Sequence, residues 1–219
     1  MTNLAAPEVG DLFAALQPID ETTNRRLHER LIADAEQAGI LDVAYRALDT
    51  PVGSLLLAAT EQGLVRVAFA TEDHARVLAT LAERISPRVL RAPRRLDAAA
   101  REIDEYFAGR RHAFDLPLDF RLSHGFRRQV LAQLPSIGYG ETTSYAALAI
   151  AAGSPRAARA VGTACATNPL PVVVPCHRVV RADGSIGQYA GGVAVKKALL
   201  ALEATEGNRR GGAIFHDAT

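Results

Sequence analysis

Cysteine is scarce in this chain of 219 residues: Cys165 and Cys176 are the whole complement. Two thiols cannot build a disulfide framework or a four-cysteine zinc site, so each is either a packed side chain or a reagent. Long apolar runs are missing too. No window approaches the roughly 18 consecutive apolar residues of a membrane span, and the first residues lack the basic-then-apolar pattern of a secretory signal. The expectation is a cytoplasmic protein with no membrane partner. With 48% hydrophobic and 22% charged residues, disorder and collagen-like repetition are excluded, and the length suits one large or two small globular domains.

Excess charge is also absent, since the formal net charge is +1. The total hides an asymmetry. Residues 1–120 hold 14 Lys+Arg against 19 Asp+Glu, whereas residues 121–219 hold 11 against 5. The basic C-terminal part points to a polyanionic partner, against the plainer reading of unevenly scattered surface charge.

Hydrophobic patterning divides the chain further. Residues 1–42 form an extension of unknown role, in which Leu27, Leu31 and Ala35 recur at helical spacing between a Thr22 or Thr23 cap and a terminating Gly39. Residues 43–117 read as a small α/β domain. VAYRAL, SLLLAAT and LVRVAFA are short apolar runs separated by turn residues, and helices follow at about 72–84 and 94–108. Its own sequence offers no catalytic cluster.

Residues 118–205 read as a mainly α domain, followed by a tail at 206–219. A helix over RRQVLAQLPSI is stopped at Pro135. A Gly138-Tyr139-Gly140 loop then leads to Thr142-Thr143-Ser144, which can cap SYAALAIAAG, and Gly153-Ser154-Pro155 opens PRAARAVGTACATN. Two short helices joined by a glycine turn have the pattern of a helix-turn-helix, although hairpins without DNA function look similar. Arg156 and Arg159, three apart, are expected near one face of the second helix, either solvated or reaching phosphates.

Beyond that helix lies Asn168-Pro-Leu-Pro-Val-Val-Val-Pro175-Cys176-His177-Arg178. The valine run is a candidate buried strand that Pro175 ends, which puts Cys176 at the rim of the core. A thiol near a base can be activated, because the thiolate is the nucleophile. Neighbours in extended chain point to opposite faces, so contact would need a turn or a bridging water, and a buried inert cysteine is the alternative.

Pro175-Cys176-His177-Arg178-Val179, preceded by Asn168-Pro169 and Arg159-Ala160-Val161-Gly162 and followed by Gly187-Gln188-Tyr189-Ala190-Gly191-Gly192, resembles the O6-alkylguanine-DNA alkyltransferases over residues 43–205. The resemblance implies direct-reversal repair, in which Cys176 irreversibly accepts a methyl or larger alkyl group from O6-alkylguanine, and possibly from O4-alkylthymine, once per molecule. It implies that His177 is the general base acting through a water, that Glu203 orients it, that Asn168 holds the active-site turn and that Tyr145 donates to the guanine. Val174, Tyr189, Ala190 and Gly191 would form the substrate pocket, with the Val174 carbonyl reading the base edge. The target must be flipped from the duplex. Arg159 would hold the vacated space, with DNA contacts at Arg156, Ala158, Thr143 and Ser144.

The fold implied is an α/β N-terminal domain, a small sheet plus helices, followed by a mainly α C-terminal domain carrying the helix-turn-helix. The partner implied is double-stranded DNA carrying O6-alkylguanine, bound by a monomer. No cofactor and no metal are expected, since no cysteine precedes Cys165 to match the zinc ligands of some relatives. Cys165 itself is read as packing. Ala190 stands where some relatives have serine. Two other classes remain: a non-catalytic lesion-binding protein, which would lack the acceptor cysteine, and a cysteine hydrolase, which would turn over repeatedly.

Overall fold

The computed structural model describes residues 20–211, with side chains as far as residue 205. These described residues fall into two units, one up to residue 40 and one from residue 41 onward.

In the first unit, helix α1 spans Glu21–Gln37. Its cap is Asp20 rather than the expected threonines. The Asp20 carboxylate accepts the Thr23 amide at 2.9 Å and the Thr23 hydroxyl at 2.6 Å, so Thr22 and Thr23 are already helical. Gly39 ends it as expected, with φ 64° and its N–H on the Glu36 carbonyl.

The second unit begins with a hairpin, β1 (Val43–Thr50) and β2 (Gly53–Thr60), and a return strand β3 (Gly63–Phe69). Helix α2 (His74–Arg84) crosses back to β4 (Val89–Arg91), which pairs parallel to β1 and completes the order β3-β2-β1-β4. Three residues of β4 were too short to signal a strand. The central β2 alternates between two cores. Leu55, Leu57 and Ala59 face one that includes Ala99, Ile103 and Tyr106 of α3 (Asp97–Phe107), while Leu56 and Ala58 face Val77 and Leu81 of α2.

Gly63 ties this sheet to the following chain. At φ 136° it lies against Pro117, whose carbonyl would sit 2.1 Å from a β-carbon there. That close approach lets the Leu64 N–H reach the Pro117 carbonyl at 2.8 Å, and Asp119 N–H returns to the Leu64 carbonyl. Buried Asp119 then accepts the Thr60 hydroxyl at 2.6 Å.

The remaining elements are helical except for one two-residue ladder. Helix α4 (Gly125–Gln133) runs into a 3-10 turn at Leu134–Ser136. β5 (Thr143–Ser144) leads to α5 (Tyr145–Ala151), capped by the Ser144 hydroxyl on the Ala147 N–H. After a turn closed by Gly153 comes α6 (Ala158–Ala166), and α5 with α6 forms the expected helix-turn-helix. The second helix starts three residues later than Pro155. Pro155 and Arg156 lie in the connecting turn, where the Ala157 N–H bonds the Ser154 carbonyl.

A larger difference concerns Val172–Val174, expected as a buried strand. These residues are buried but form turns, because prolines on both sides withhold ladder donors, the Val174 N–H bonds the Leu170 carbonyl, and Asn168 takes the Val174 carbonyl. A 3-10 turn, Cys176–Arg178, follows, then β6 (Val179–Val180), which pairs parallel with β5. Helix α7 (Gly192–Gly211) closes the unit and runs through the first residues of the expected tail; 212–219 lie outside the described residues.

Candidate active site

Asn168 follows the end of α6 and organises the chain that delivers Cys176. Its side-chain oxygen accepts the Leu170 N–H at 3.0 Å, and its amide nitrogen donates to the Val174 carbonyl at 2.8 Å and to Cys176 Sγ at 3.2 Å. Between them Val172 is held at φ 73°. A β-branched residue in that region is strained, and it persists because the surrounding bonds over-determine the turn.

The carbonyl of Val174 also accepts the Cys176 N–H at 2.8 Å. This carbonyl, expected to read the base edge, thus already accepts two hydrogen bonds inside the protein.

Cys176 is buried, and burial pushes its thiol up to about 11, against partial relief from the Asn168 amide and the positive charge of Lys196. The resting group is a thiol. His177 points elsewhere: its Nε2 lies 2.9 Å from Glu203 Oε1. Burial pulls the imidazole below its ordinary range despite the neighbouring carboxylate. A neutral ring bonded to a carboxylate carries its proton on Nε2, so Nδ1 is an acceptor; it is buried and has no hydrogen-bond partner among the described residues.

Glu203 is fully buried, yet its carboxyl falls to about 2, because hydrogen bonds from His177 and Arg178 outweigh the burial that pushes it up. Arg178 donates from Nε at 2.9 Å and from its terminal nitrogen at 3.0 Å. The Gly140 N–H adds a bond at 3.1 Å, and the Tyr106 hydroxyl another at 2.8 Å.

The family resemblance grouped Cys176, His177, Glu203 and Asn168; the structure pairs Asn168 with Cys176 and Glu203 with His177. Sequence reasoning missed Arg178, Tyr106 and Lys196. Tyr106 lies 71 residues before His177 and 97 before Glu203, a separation that no local pattern bridges. Lys196 left a readable sign, since it stands two helical turns before Glu203, on the same face of α7 as Leu199. It is 1% exposed, and its ammonium donates to the Val179 carbonyl.

Tyr145 opens α5 with its hydroxyl against Gly187, where a β-carbon would lie 2.6 Å from the oxygen. Burial raises its phenol, and the two cysteines add to the rise, so it remains a donor. Tyr189 packs edge-on against Phe69 and His177, with centroids 5.6 and 6.3 Å apart, and Gly191 lies against the Phe69 ring. Ala190 and Asn168 border a cleft of about 380 Å³ that also takes in Arg66, Glu72 and Arg127; Cys176, Tyr145 and Tyr189 do not line it. Cys165, on α6, is buried with its thiol pushed up to about 12, chiefly by that burial.

The helix-turn-helix presents a different surface. Arg159 in the first turn of α6 and Arg156 before it are exposed, and their guanidinium groups bond to no group among the described residues, while Ala158 is half-buried. Thr143 and Ser144 are half-buried in β5, and the Ser144 hydroxyl is committed to its cap. Among the described residues no cluster of three or more His, Cys, Asp or Glu could hold a metal, and no helix is long and apolar enough to cross a membrane.

Comparison with known proteins covers the same stretch. Residues 43–120 match the family model described as 6-O-methylguanine DNA methyltransferase, ribonuclease-like domain, and residues 125–205 match its DNA binding domain. A methylated-DNA–protein-cysteine methyltransferase of Mycolicibacterium paratuberculosis is 40% identical over 161 residues, 74% of this chain and 92% of the relative. A protein of the same name from Mus musculus is 40% identical over 171 residues, 73% of this chain and 80% of the relative. The crystal structure of Mycobacterium tuberculosis O6-methylguanine methyltransferase superposes with a TM-score of 0.67 at 36% identity, covering 75% of this chain and 94% of that one. The structure of Mycobacterium tuberculosis OGT in complex with DNA gives 0.66 at 37% identity, covering 74% and 94%.

Proposed function

The chain belongs to the 6-O-methylguanine DNA methyltransferase family, and from that membership we propose how its own residues carry out direct-reversal repair as a methylated-DNA–protein-cysteine methyltransferase. The observation that carries the reading is the pair of polar contacts around two adjacent residues: Asn168 on the sulfur of Cys176, and Glu203 on the Nε2 of His177.

The substrate is double-stranded DNA carrying O6-alkylguanine. The target nucleotide is flipped out of the stack, at a cost of about a few kcal/mol, and Arg159 enters the space it leaves. Arg156 and the small residues around Ala158 bring α6 close to the backbone.

The thiol proton of Cys176 passes through a water to Nδ1 of His177, and Glu203 stabilises the imidazolium that results. The Asn168 amide and the Lys196 ammonium favour the thiolate. Sulfur then attacks the alkyl carbon in line. The S–C bond forms as the C–O6 bond breaks, and the guanine leaving group receives a proton from the Tyr145 hydroxyl, which recovers one from the imidazolium through solvent. The products are restored guanine and a thioether at Cys176. No step regenerates the thiol, so each molecule acts once, as a monomer in the cytoplasm.

Intact-mass spectrometry after incubation with an O6-methylguanine duplex tests the proposal. A gain of one methyl mapped to Cys176 is expected. Binding of the duplex with no mass change would favour a lesion-binding protein, and continued release of methylated product would favour a hydrolase.

A further inference from the structure

Glu203 receives more hydrogen bonds than are needed to orient one histidine. Its Oε1 alone faces His177 Nε2 at 2.9 Å, the Tyr106 hydroxyl at 2.8 Å and Arg178 at 3.0 Å, while Oε2 takes Arg178 Nε and the Gly140 N–H. A carboxylate has about four lone-pair sites. His177 therefore shares its acceptor oxygen with two other buried donors, Tyr106 and Arg178. The Tyr106 oxygen also stands 3.4 Å from His177 Nε2 itself.

Tyr106 is wholly buried, and its ring is fixed by Phe107, Phe114 and Tyr139 at centroid distances of 5.3, 5.5 and 6.1 Å. It comes from α3, inside the ribonuclease-like match, whereas His177 and Glu203 belong to the DNA-binding match. The α/β portion, in which the sequence offered no catalytic cluster, thus places one hydroxyl in the relay.

We propose that Tyr106 is a positioning residue for proton transfer: by occupying Oε1 of Glu203 its hydroxyl holds His177 as neutral imidazole, protonated on Nε2 and bare at Nδ1. The proposal rests on the reading that His177 takes the Cys176 proton. The physical argument concerns how far the carboxylate's charge is already satisfied. A carboxylate bonded by Tyr106, Arg178 and Gly140 attracts an imidazolium less than one that has only the histidine. Removing the hydroxyl returns a lone pair to His177 and favours the charged ring, which cannot accept a proton. The other groups facing His177 are unchanged by that removal: Arg178 on its own turn, Lys196 on α7, Tyr189 in the loop before α7, and Cys176 beside it.

The test is a pH titration of the His177 ring nitrogens by 15N NMR in the full chain, without DNA. Tyr106→Phe keeps the aromatic packing and removes only the oxygen. Its His177 midpoint is expected to rise by about half to one pH unit, the size of one net hydrogen bond. Loss of packing alone would lower the melting temperature and leave the midpoint in place, so an unchanged or lowered midpoint overturns the proposal. Site-specific 3-fluorotyrosine at position 106, a stronger donor of nearly the same shape, should move the midpoint the other way, which keeps the test decisive if Tyr106→Phe does not fold. The acid limb of the alkyl-transfer profile should follow the same shifts. Failure of the native chain to accept any alkyl group would count against the proposed function, whereas the ring titration is read independently of it.

Discussion

The side-chain amide of Asn168 spans 3.2 Å to the sulfur of Cys176 while the same nitrogen holds the Val174 carbonyl at 2.8 Å. One donor group therefore both closes the turn and touches the reacting atom. Structure and reactivity are coupled there: whatever loosens the turn also removes the polar contact that eases thiolate formation.

Asn168→Ala should therefore show two losses at once. Three hydrogen bonds disappear, and the buried Leu170 N–H is left without its acceptor, a cost of about 1–3 kcal/mol that urea denaturation will register. The Cys176 thiol, already pushed up to about 11, should rise further. Iodoacetamide labelling of Cys176 at fixed pH should slow by about tenfold for each unit of that rise. Lower stability with unaltered labelling would separate the two roles and refute the coupling.

Stability should fall on both sides of a plateau between about pH 7 and pH 9. Glu203 is depressed from 4.5 to about 2, so its contribution is complete above 4.5 and is lost as pH falls toward 2. His177 is depressed below 6.5, so the unfolded chain takes up that proton first and stability already declines below 6.5. Cys176 and Cys165 are raised from 9.0 to about 11 and about 12, so the unfolded chain ionises first above 9 and stability declines there. Urea midpoints measured from pH 3 to 10 check the shape. Cys165→Ala should flatten only the alkaline side.

Much of this site was legible in the sequence only through the family resemblance. By itself the adjacent pair Cys176-His177 left an inert buried cysteine open, and nothing local assigned Asn168, eight residues before Cys176, or Glu203, on the next helix, to it. The strands β1 to β3 were legible because alternation along Leu55–Ala59 matches burial on two faces. What failed was what depends on distant groups. Val172–Val174 has strand composition, but the side chain of Asn168 takes the Val174 carbonyl and the Val174 N–H turns back to Leu170. Arg156 reads as helical, but the Ser154–Ala157 turn delays the helix. Arg178 and Tyr106 acquire their roles only through Glu203, and in Tyr106 that partner is 97 residues away.

Lys196→Met should shift the pH profile of Cys176 labelling to higher pH. The ammonium is buried with the Val179 carbonyl, and it has no carboxylate partner among the described residues. Its positive charge favours the Cys176 thiolate, while burial pulls the lysine below its ordinary range against the opposing pull of the two cysteines. Methionine preserves much of the length and removes the charge. A profile superimposable on that of the native chain would mean that Lys196 serves packing and the Val179 bond alone.

Arg159→Ala should reveal whether the helix-turn-helix works through its exposed cation. If Arg159 fills the space left by a flipped base, the duplex needs it and a free alkylated base does not. Alkyl transfer from an O6-methylguanine duplex should then fall by tenfold or more, on the order of 1–3 kcal/mol, with transfer from the free base nearly unchanged. Arg156 lies exposed in the turn before α6, and its proposed contact is with a phosphate. Arg156→Ala should weaken duplex binding uniformly across sequences and lower the salt slope by about one. Equal losses on duplex and free base for Arg159→Ala would place that residue in the fold of the site, and the role of holding the vacated stack would then have to pass to another side chain.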